Sequence, residues 1–172
     1  MNYIKEHLKE SIEALQTIDK KIIESAKNLK VISTFSVGYD HIDTKFAKEK
    51  KIRVGYTPEV LTNATADMAF ALMIDSLRRI SEGERIIRKQ KWKQIYGAYD
   101  YVGVDLQGKT LGIIGLGRIG KTLAKRAKAF DMKIIYHNRK QISKTEEKKL
   151  GVKFVTFKEL VTQSDILSIH VP

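Results

Sequence analysis

The sequence predicts an α/β fold built on a parallel sheet, and three observations carry that prediction. From residue 110 onward, short apolar runs alternate with amphipathic stretches. The runs 110–114, 132–136, 152–155 and 165–169 read as strands, and 119–130, 144–150 and 157–162 read as helices. Strands separated by helices need crossover connections, which makes the sheet parallel and the crossovers right-handed. Second, the first of these strands leads into Gly115-Leu116-Gly117-Arg118-Ile119-Gly120, a G-x-G-x-x-G turn that opens a helix. Third, the motif starts at 115 in a chain of 172 residues, so only the first βαβαβ half of a doubly wound Rossmann domain fits after it. The residues before about 100 belong to a different part of the molecule. The expected division is 1–97 and 98–172.

Element by element, the first part reads as follows. Residues 4–29 carry Ile4, Leu8, Ile12 and Leu15 at helical spacing, then Ile22, Ile23 and Ala26. Thr17-Ile18-Asp19 is a candidate interruption, with Asp19 as the cap of the second piece. Residues 29–35 read as a buried strand, 36–40 as a loop, 43–50 as a short helix and 52–56 as a second strand, with Pro58 in the loop beyond it. A long helix, about 63–93, starts at Thr62 or Asn63, either of which can cap it, with Asp67 assigned to its first turn. Ala66, Ala69, Phe70, Met73, Leu77 and Ile80 form one stripe, read as core or subunit interface. The pattern continues toward Trp92, with Gly83 as its weak point. Residues 96–108, rich in Gly and Tyr, read as the link between domains.

Composition narrows the function classes. The chain is 42% hydrophobic and has no cysteine, so it has neither a disulfide framework nor a thiolate metal site, and no metal is expected. Residues 1–30 are too charged for a signal peptide, and the longest apolar region, 64–77, is interrupted by Asp67 and Asp75. The expectation is a soluble cytoplasmic protein without membrane contact. Net charge is +12. The lysines, however, are spread along the chain beside glutamates, as in Lys5-Glu6, Lys9-Glu10, Lys48-Glu49 and Glu146-Glu147-Lys148-Lys149. No basic stretch is interleaved with aromatics, so these charges read as solvated faces and no nucleic-acid partner is expected.

The glycine motif has a specific chemistry. Gly115 lets the chain turn sharply off the strand, Gly117 lets backbone approach a pyrophosphate, and Gly120 lets the new helix lie close to the sheet. The helix N-terminus offers free N–H groups and the positive end of its dipole. Units that bind NAD place an acidic residue about 20 positions past the glycines, where it accepts from the ribose 2′-hydroxyl. Here the second strand ends in Tyr136-His137-Asn138-Arg139-Lys140, an amide followed by two cations. A carboxylate repels a 2′-phosphate, whereas a guanidinium fork grips one. The expected cofactor is therefore NADP, with NAD as the alternative. The residues also admit a plainer reading, with Arg139 and Lys140 as surface charges and Asn138 as a turn cap. Ser36-Val37-Gly38 lies between a strand and a helix, where consecutive N–H groups can form an anion-binding concavity, although on these residues alone a plain strand-to-helix turn is the favoured reading.

Together, residues 31–43, the segment 52–58, the Thr65-Ala66-Asp67 helix opening and the turn and fingerprint of 108–120 occur in the order seen in D-isomer-specific 2-hydroxyacid dehydrogenases. From about residue 16 onward the chain resembles that family, most of all its glyoxylate/hydroxypyruvate reductase branch. The resemblance implies a partial flavodoxin-like α/β substrate domain joined by the long helix to the incomplete Rossmann domain. It implies that the N–H groups of Val37 and Gly38 hold a substrate carboxylate, and that Thr62 faces the nicotinamide side of the cofactor. Leu116, Gly117, Arg118, Ile119 and Gly120 would cradle the pyrophosphate after Gly115. Asn138, Arg139 and Lys140 would meet the 2′-phosphate, and His170, Val171 and Pro172 would end a strand beside the cofactor. It also implies a small 2-oxoacid or 2-hydroxyacid substrate, and a homodimer formed through the long helix.

The family moves a hydride from nicotinamide to a 2-oxoacid carbonyl carbon, using an Arg to orient the substrate and a Glu-tuned His to donate the proton. Those three residues lie beyond the part of the family that this chain resembles, and His7, His41, His137 and His170 do not match the catalytic histidine. The expectation is a chain truncated at both ends, with no catalytic residue of its own and little activity. The alternatives are a non-catalytic dinucleotide-sensing or interaction module, and a fragment of a phosphoglycerate dehydrogenase-like NAD enzyme.

Overall fold

In a computed structural model, residues 17–92 and 96–171 are described. The expected helix over Ile4, Leu8, Ile12 and Leu15, as well as His7 and Pro172, lie outside them. The chain divides into two compact units, 1–61 and 62–172.

In the first unit, Asp19 accepts from the Ile22 amide at 3.0 Å and starts α1, Lys20–Ser25. Asp43 accepts from the Phe46 amide at 2.9 Å and starts α2, Thr44–Glu49. A side-chain oxygen here satisfies an amide that has no intrahelical acceptor. The strands β1, Val31–Ser33, and β2, Arg53–Gly55, pair in parallel with Ile32 opposite Val54. Both are shorter than their apolar runs. Ile23, Ile32, Ile42, Phe46, Ala47 and Ile52 close a small core.

The second unit begins with α3, Thr62–Arg78, and α4, Ile80–Arg88. Then follow β3, Thr110–Ile114; α5, Arg118–Lys128; β4, Lys133–His137; α6, Lys144–Leu150; β5, Val152–Phe154; α7, Phe157–Gln163; and β6, Ile166–Ile169. The sheet order is β5-β4-β3-β6 with every pairing parallel, as the alternation predicts. On one face, Ala66, Phe70 and Met73 of α3 and Leu123, Ala124 and Ala127 of α5 join Leu111, Ile113, Ile134 and Tyr136 in one core. On the other, Leu160 of α7 meets Ile135 and Val155. Helices thus cover both faces, which is why β3 and β4 are apolar along most of their length. No helix among the described residues is long and apolar enough to cross a membrane.

Three local expectations are corrected. The long helix breaks at Arg79, not Gly83. Arg79 is left-handed (φ 56°), its guanidinium pairs with Glu82 at 2.6 Å and lies over the Tyr101 ring, and Asp75 accepts from both the amide and the hydroxyl of Ser81. Gly83 instead makes room for Tyr101, whose hydroxyl lies 2.8 Å from where a Cβ would sit. Asp67 falls in the second turn of α3 and pairs with Arg126 of α5 at 2.6 Å, so an ion pair explains it better than the helix dipole does. Finally, the segment read as an interdomain link lies against the end of α3. There Val104 donates to the Leu77 carbonyl at 2.8 Å and Leu106 is buried, so α3 and this segment both belong to the second unit.

Candidate dinucleotide site

Because β4 lies on one side of β3 and β6 on the other, the sheet reverses its winding between β3 and β6. In open α/β sheets, ligands sit beyond the carboxyl ends of the strands at such a reversal. The glycine motif occupies that point. Gly115, with φ +92°, turns away from β3 so closely beneath the end of β6 that a Cβ would lie 2.7 Å from both the His170 carbonyl oxygen and Val171 Cγ1. A Cβ on Gly120 would lie 2.6 Å from the Gly115 carbonyl oxygen, so α5 rests directly on the turn. Around the Cβ direction of Gly117, nothing lies within 4 Å.

Gly117 is the N-cap of α5, and no side chain caps that end. Lys121 is the first residue to close a helical bond, donating to the Gly117 carbonyl at 2.9 Å. The Ile119 and Gly120 amides in the first turn therefore have no helical acceptor. The amides of Leu116 and Gly117 are used within the loop: Leu116 donates to Asn138 Oδ1 at 2.6 Å and Gly117 to the Gly115 carbonyl at 2.9 Å. The donors left for an anion come from the helix turn rather than from the loop. Open space over a bare Cα, beside first-turn amides and the positive end of a dipole, fits a dinucleotide pyrophosphate.

Asn138 is half-buried and ties the end of β4 to the glycine loop, an inward role that the residue's polarity alone does not reveal. Arg139 and Lys140 follow on the surface. Behind them, Tyr136 and Glu147, both buried, share a hydrogen bond of 2.9 Å. Glu147 belongs to a run that reads as a solvated face, yet its carboxylate also accepts from Lys144 and Gln141, which, Lys144 foremost and with Tyr136, hold its pKa down at about 2. Burial first, and then this carboxylate, push the Tyr136 phenol up to about 12.

His170 follows β6, and its Nε2 lies 2.9 Å from Ser168 Oγ. Burial pushes its imidazole below the ordinary value. Together with Thr65, Met68, Leu72, Leu167 and Ile169 it lines a largely apolar groove of about 530 Å³. Thr62, half-buried, is the first residue of α3.

In the first unit, Val37 is half-buried and Gly38 exposed. Ser36 Oγ donates to the Gly38 carbonyl at 2.6 Å and lies 2.7 Å from Thr34 Oγ1, which lies 3.3 Å from His41 Nε2. A Cβ on Gly38 would lie 3.7 Å from an Asp40 carboxylate oxygen, so any anion held at this loop must outweigh a like charge nearby.

A profile described as "D-isomer specific 2-hydroxyacid dehydrogenase, NAD binding domain" matches residues 70–172. Glyoxylate reductase from Thermococcus litoralis is 47% identical over 158 residues, which cover 90% of this chain and 47% of that one. The TT0316 protein from Thermus thermophilus superposes with a TM-score of 0.80 at 43% identity, covering 91% of this chain and 48% of that one. A glyoxylate reductase from Paecilomyes thermophila gives 0.77 at 41% identity, covering 90% and 45%. The chain therefore spans about half the length of the relatives it matches.

Proposed function

The chain belongs to the D-isomer specific 2-hydroxyacid dehydrogenase family, and from that premise we propose that it holds the cofactor and the substrate carboxylate in a 2-oxoacid reductase of the glyoxylate reductase type, with NADPH as the preferred dinucleotide. The observation that carries this reading is the empty space over Gly117 at an uncapped helix start, set at the winding reversal of the sheet. When bound, the dinucleotide would supply a hydride to a carbonyl carbon. The first-turn amides of α5 would hold its pyrophosphate, and Asn138, Arg139 and Lys140 would surround the adenosine ribose. Thr62, His170 and Val171 would border the cofactor. The Val37 and Gly38 amides would orient the 2-oxoacid.

Among the described residues we assign no proton donor. One ring nitrogen of each of His41, His137 and His170 has a partner, in Thr34, the Val155 carbonyl and Ser168 respectively. Hydride transfer depends on orientation and preorganised charge acting together, so binding alone gives little acceleration. Fluorescence titration of the chain is expected to show saturable NADPH binding, tighter than NADH binding. Glyoxylate- or hydroxypyruvate-dependent NADPH oxidation is expected to stay at background until a C-terminal segment of a relative is supplied. Rapid turnover by the chain alone would overturn the second expectation. Arg139→Ala is expected to weaken NADPH by about tenfold, the worth of one charge-assisted hydrogen bond, and to leave NADH unchanged. Equal weakening of both would remove the case for a 2′-phosphate site.

The same reading extends to a homodimer formed through the α3–α4 region. Met68, Leu72, Ile80 and Ile87 are more than half exposed, apolar surface on these two helices that a second copy would cover. Sedimentation of the wild-type chain is expected to give a dimer, and Ile87→Lys a monomer. A wild-type monomer would refute it.

A further inference from the structure

We propose that Tyr136 and Glu147 are positioning residues that fix the 138–140 turn for a 2′-phosphorylated ribose, so that selectivity between NADPH and NADH depends on a buried hydroxyl–carboxylate pair that touches neither cofactor. The inference rests on the NADPH reading above and adds a mechanism to it.

Tyr136 lies in the second strand of the sheet and is fully buried, a place where phenylalanine would serve the core equally well. A buried phenol needs hydrogen-bond partners, and this one has two. It donates to Glu147 Oε1 at 2.9 Å and accepts from the Ile142 amide at 3.2 Å. Both bonds lead to the segment just past the two cations. Glu147 Oε1 also accepts from Gln141 Nε2 at 2.7 Å, and Oε2 from Lys144 Nζ at 2.8 Å. Ser143 caps α6, and Lys121 of α5 reaches across to Glu146 at 2.6 Å. On the near side, Asn138 is held by the Leu116 amide.

The result is a short span, Arg139-Lys140, anchored at both ends, with its two side chains exposed. Three of the far-side bonds, from Tyr136, Gln141 and Lys144, meet at the Glu147 carboxylate. A guanidinium fork grips a phosphate well only in one orientation, and a backbone already fixed loses little conformational freedom when it does so. Loosening the far anchor therefore costs affinity only where the cations are used. NADPH uses them and NADH does not.

The test compares dissociation constants for NADPH and NADH, read by fluorescence on the full 172-residue chain, in the wild type, Tyr136→Phe and Gln141→Ala. Tyr136→Phe leaves Glu147 and the Ile142 amide each short of one buried partner. Gln141→Ala removes one bond from the edge of the cluster, so the test does not depend on the more disruptive variant folding. The expected result is that the NADPH:NADH preference falls about tenfold in Tyr136→Phe and less in Gln141→Ala, with NADH affinity unchanged. A purely structural role would weaken both cofactors together, and that outcome overturns the proposal. A preference unchanged in both variants overturns it too, while leaving the NADPH reading intact if Arg139→Ala lowers the preference about tenfold. A wild-type chain with no preference overturns the NADPH reading and this inference together.

Discussion

Gly115→Ala is expected to destabilise the second unit by about 2–6 kcal/mol, at the upper end enough to leave little of it folded if its stability is at the low end of the usual range. Two costs add. At φ +92° an L side chain is strained, at about 1–3 kcal/mol. The new Cβ would also lie 2.7 Å from the His170 carbonyl oxygen and from Val171 Cγ1. Val171 Cγ1 can rotate away, but the carbonyl belongs to a backbone that the sheet pins, because the His170 amide donates to the Ile114 carbonyl at 2.8 Å. Relief therefore requires β3 and β6 to part at the ends that carry the site, a form of overpacking worth about 1–3 kcal/mol. Gly108 separates the two costs. It has φ +75° and nothing within 4 Å of its Cβ direction, so Gly108→Ala bears only the dihedral strain. In urea unfolding followed by circular dichroism, the Gly115→Ala midpoint should fall well below that of Gly108→Ala, with the slope unchanged. Equal midpoints would mean that the close approach to β6 carries no weight.

Much of this architecture is legible in the sequence because it is local. Asp19, Asp43, Ser143 and Thr156 each stand one residue before an amphipathic run, and each caps the helix that follows. The strand 110–114 and the helix 144–150 have the bounds that their periodicity suggests. What the sequence hides is decided by residues far away along the chain. Glycine weakens a helix by propensity, but the break falls at Arg79, where Glu82, Tyr101 and the Asp75–Ser81 pair hold a left-handed arginine. The partner of Asp67 lies 59 residues on, at Arg126. The site divides in the same way. The glycine spacing marks the proposed cradle: Gly115 turns the chain off β3, Gly117 leaves open space and Gly120 makes room for the Gly115 carbonyl. Nothing near Asn138 shows that its oxygen is used by Leu116, and nothing in Glu146-Glu147-Lys148-Lys149 distinguishes a buried carboxylate from a solvated one. The signal that was available is Tyr136, a hydroxyl closing the apolar run Ile134-Ile135-Tyr136, which requires a polar partner somewhere in the fold once buried.

Gly117→Val is expected to separate binding from folding in the same motif. The position has φ −84° and ψ −157°, extended backbone outside the left-handed region, and its Cβ direction is open to at least 4 Å. Stability should therefore stay within about 0.5 kcal/mol of the wild type, as for a substitution that touches nothing. On the proposed reading, the dinucleotide needs that same volume. A valine there would hold the pyrophosphate away from the first-turn amides of α5. Hydrogen bonds to a charged group contribute about 1.5–3 kcal/mol each, so losing two weakens binding on the order of 100-fold or more. Gly117→Ala should fall between, since a single methyl fills less of the space. The decisive measurement pairs a urea midpoint with an NADPH titration on each variant. An unchanged midpoint with a lost titration assigns the open volume over residue 117 to the ligand. Wild-type affinity in Gly117→Val would place the phosphates elsewhere, and would leave the turn with only the architectural role that Gly115 already explains.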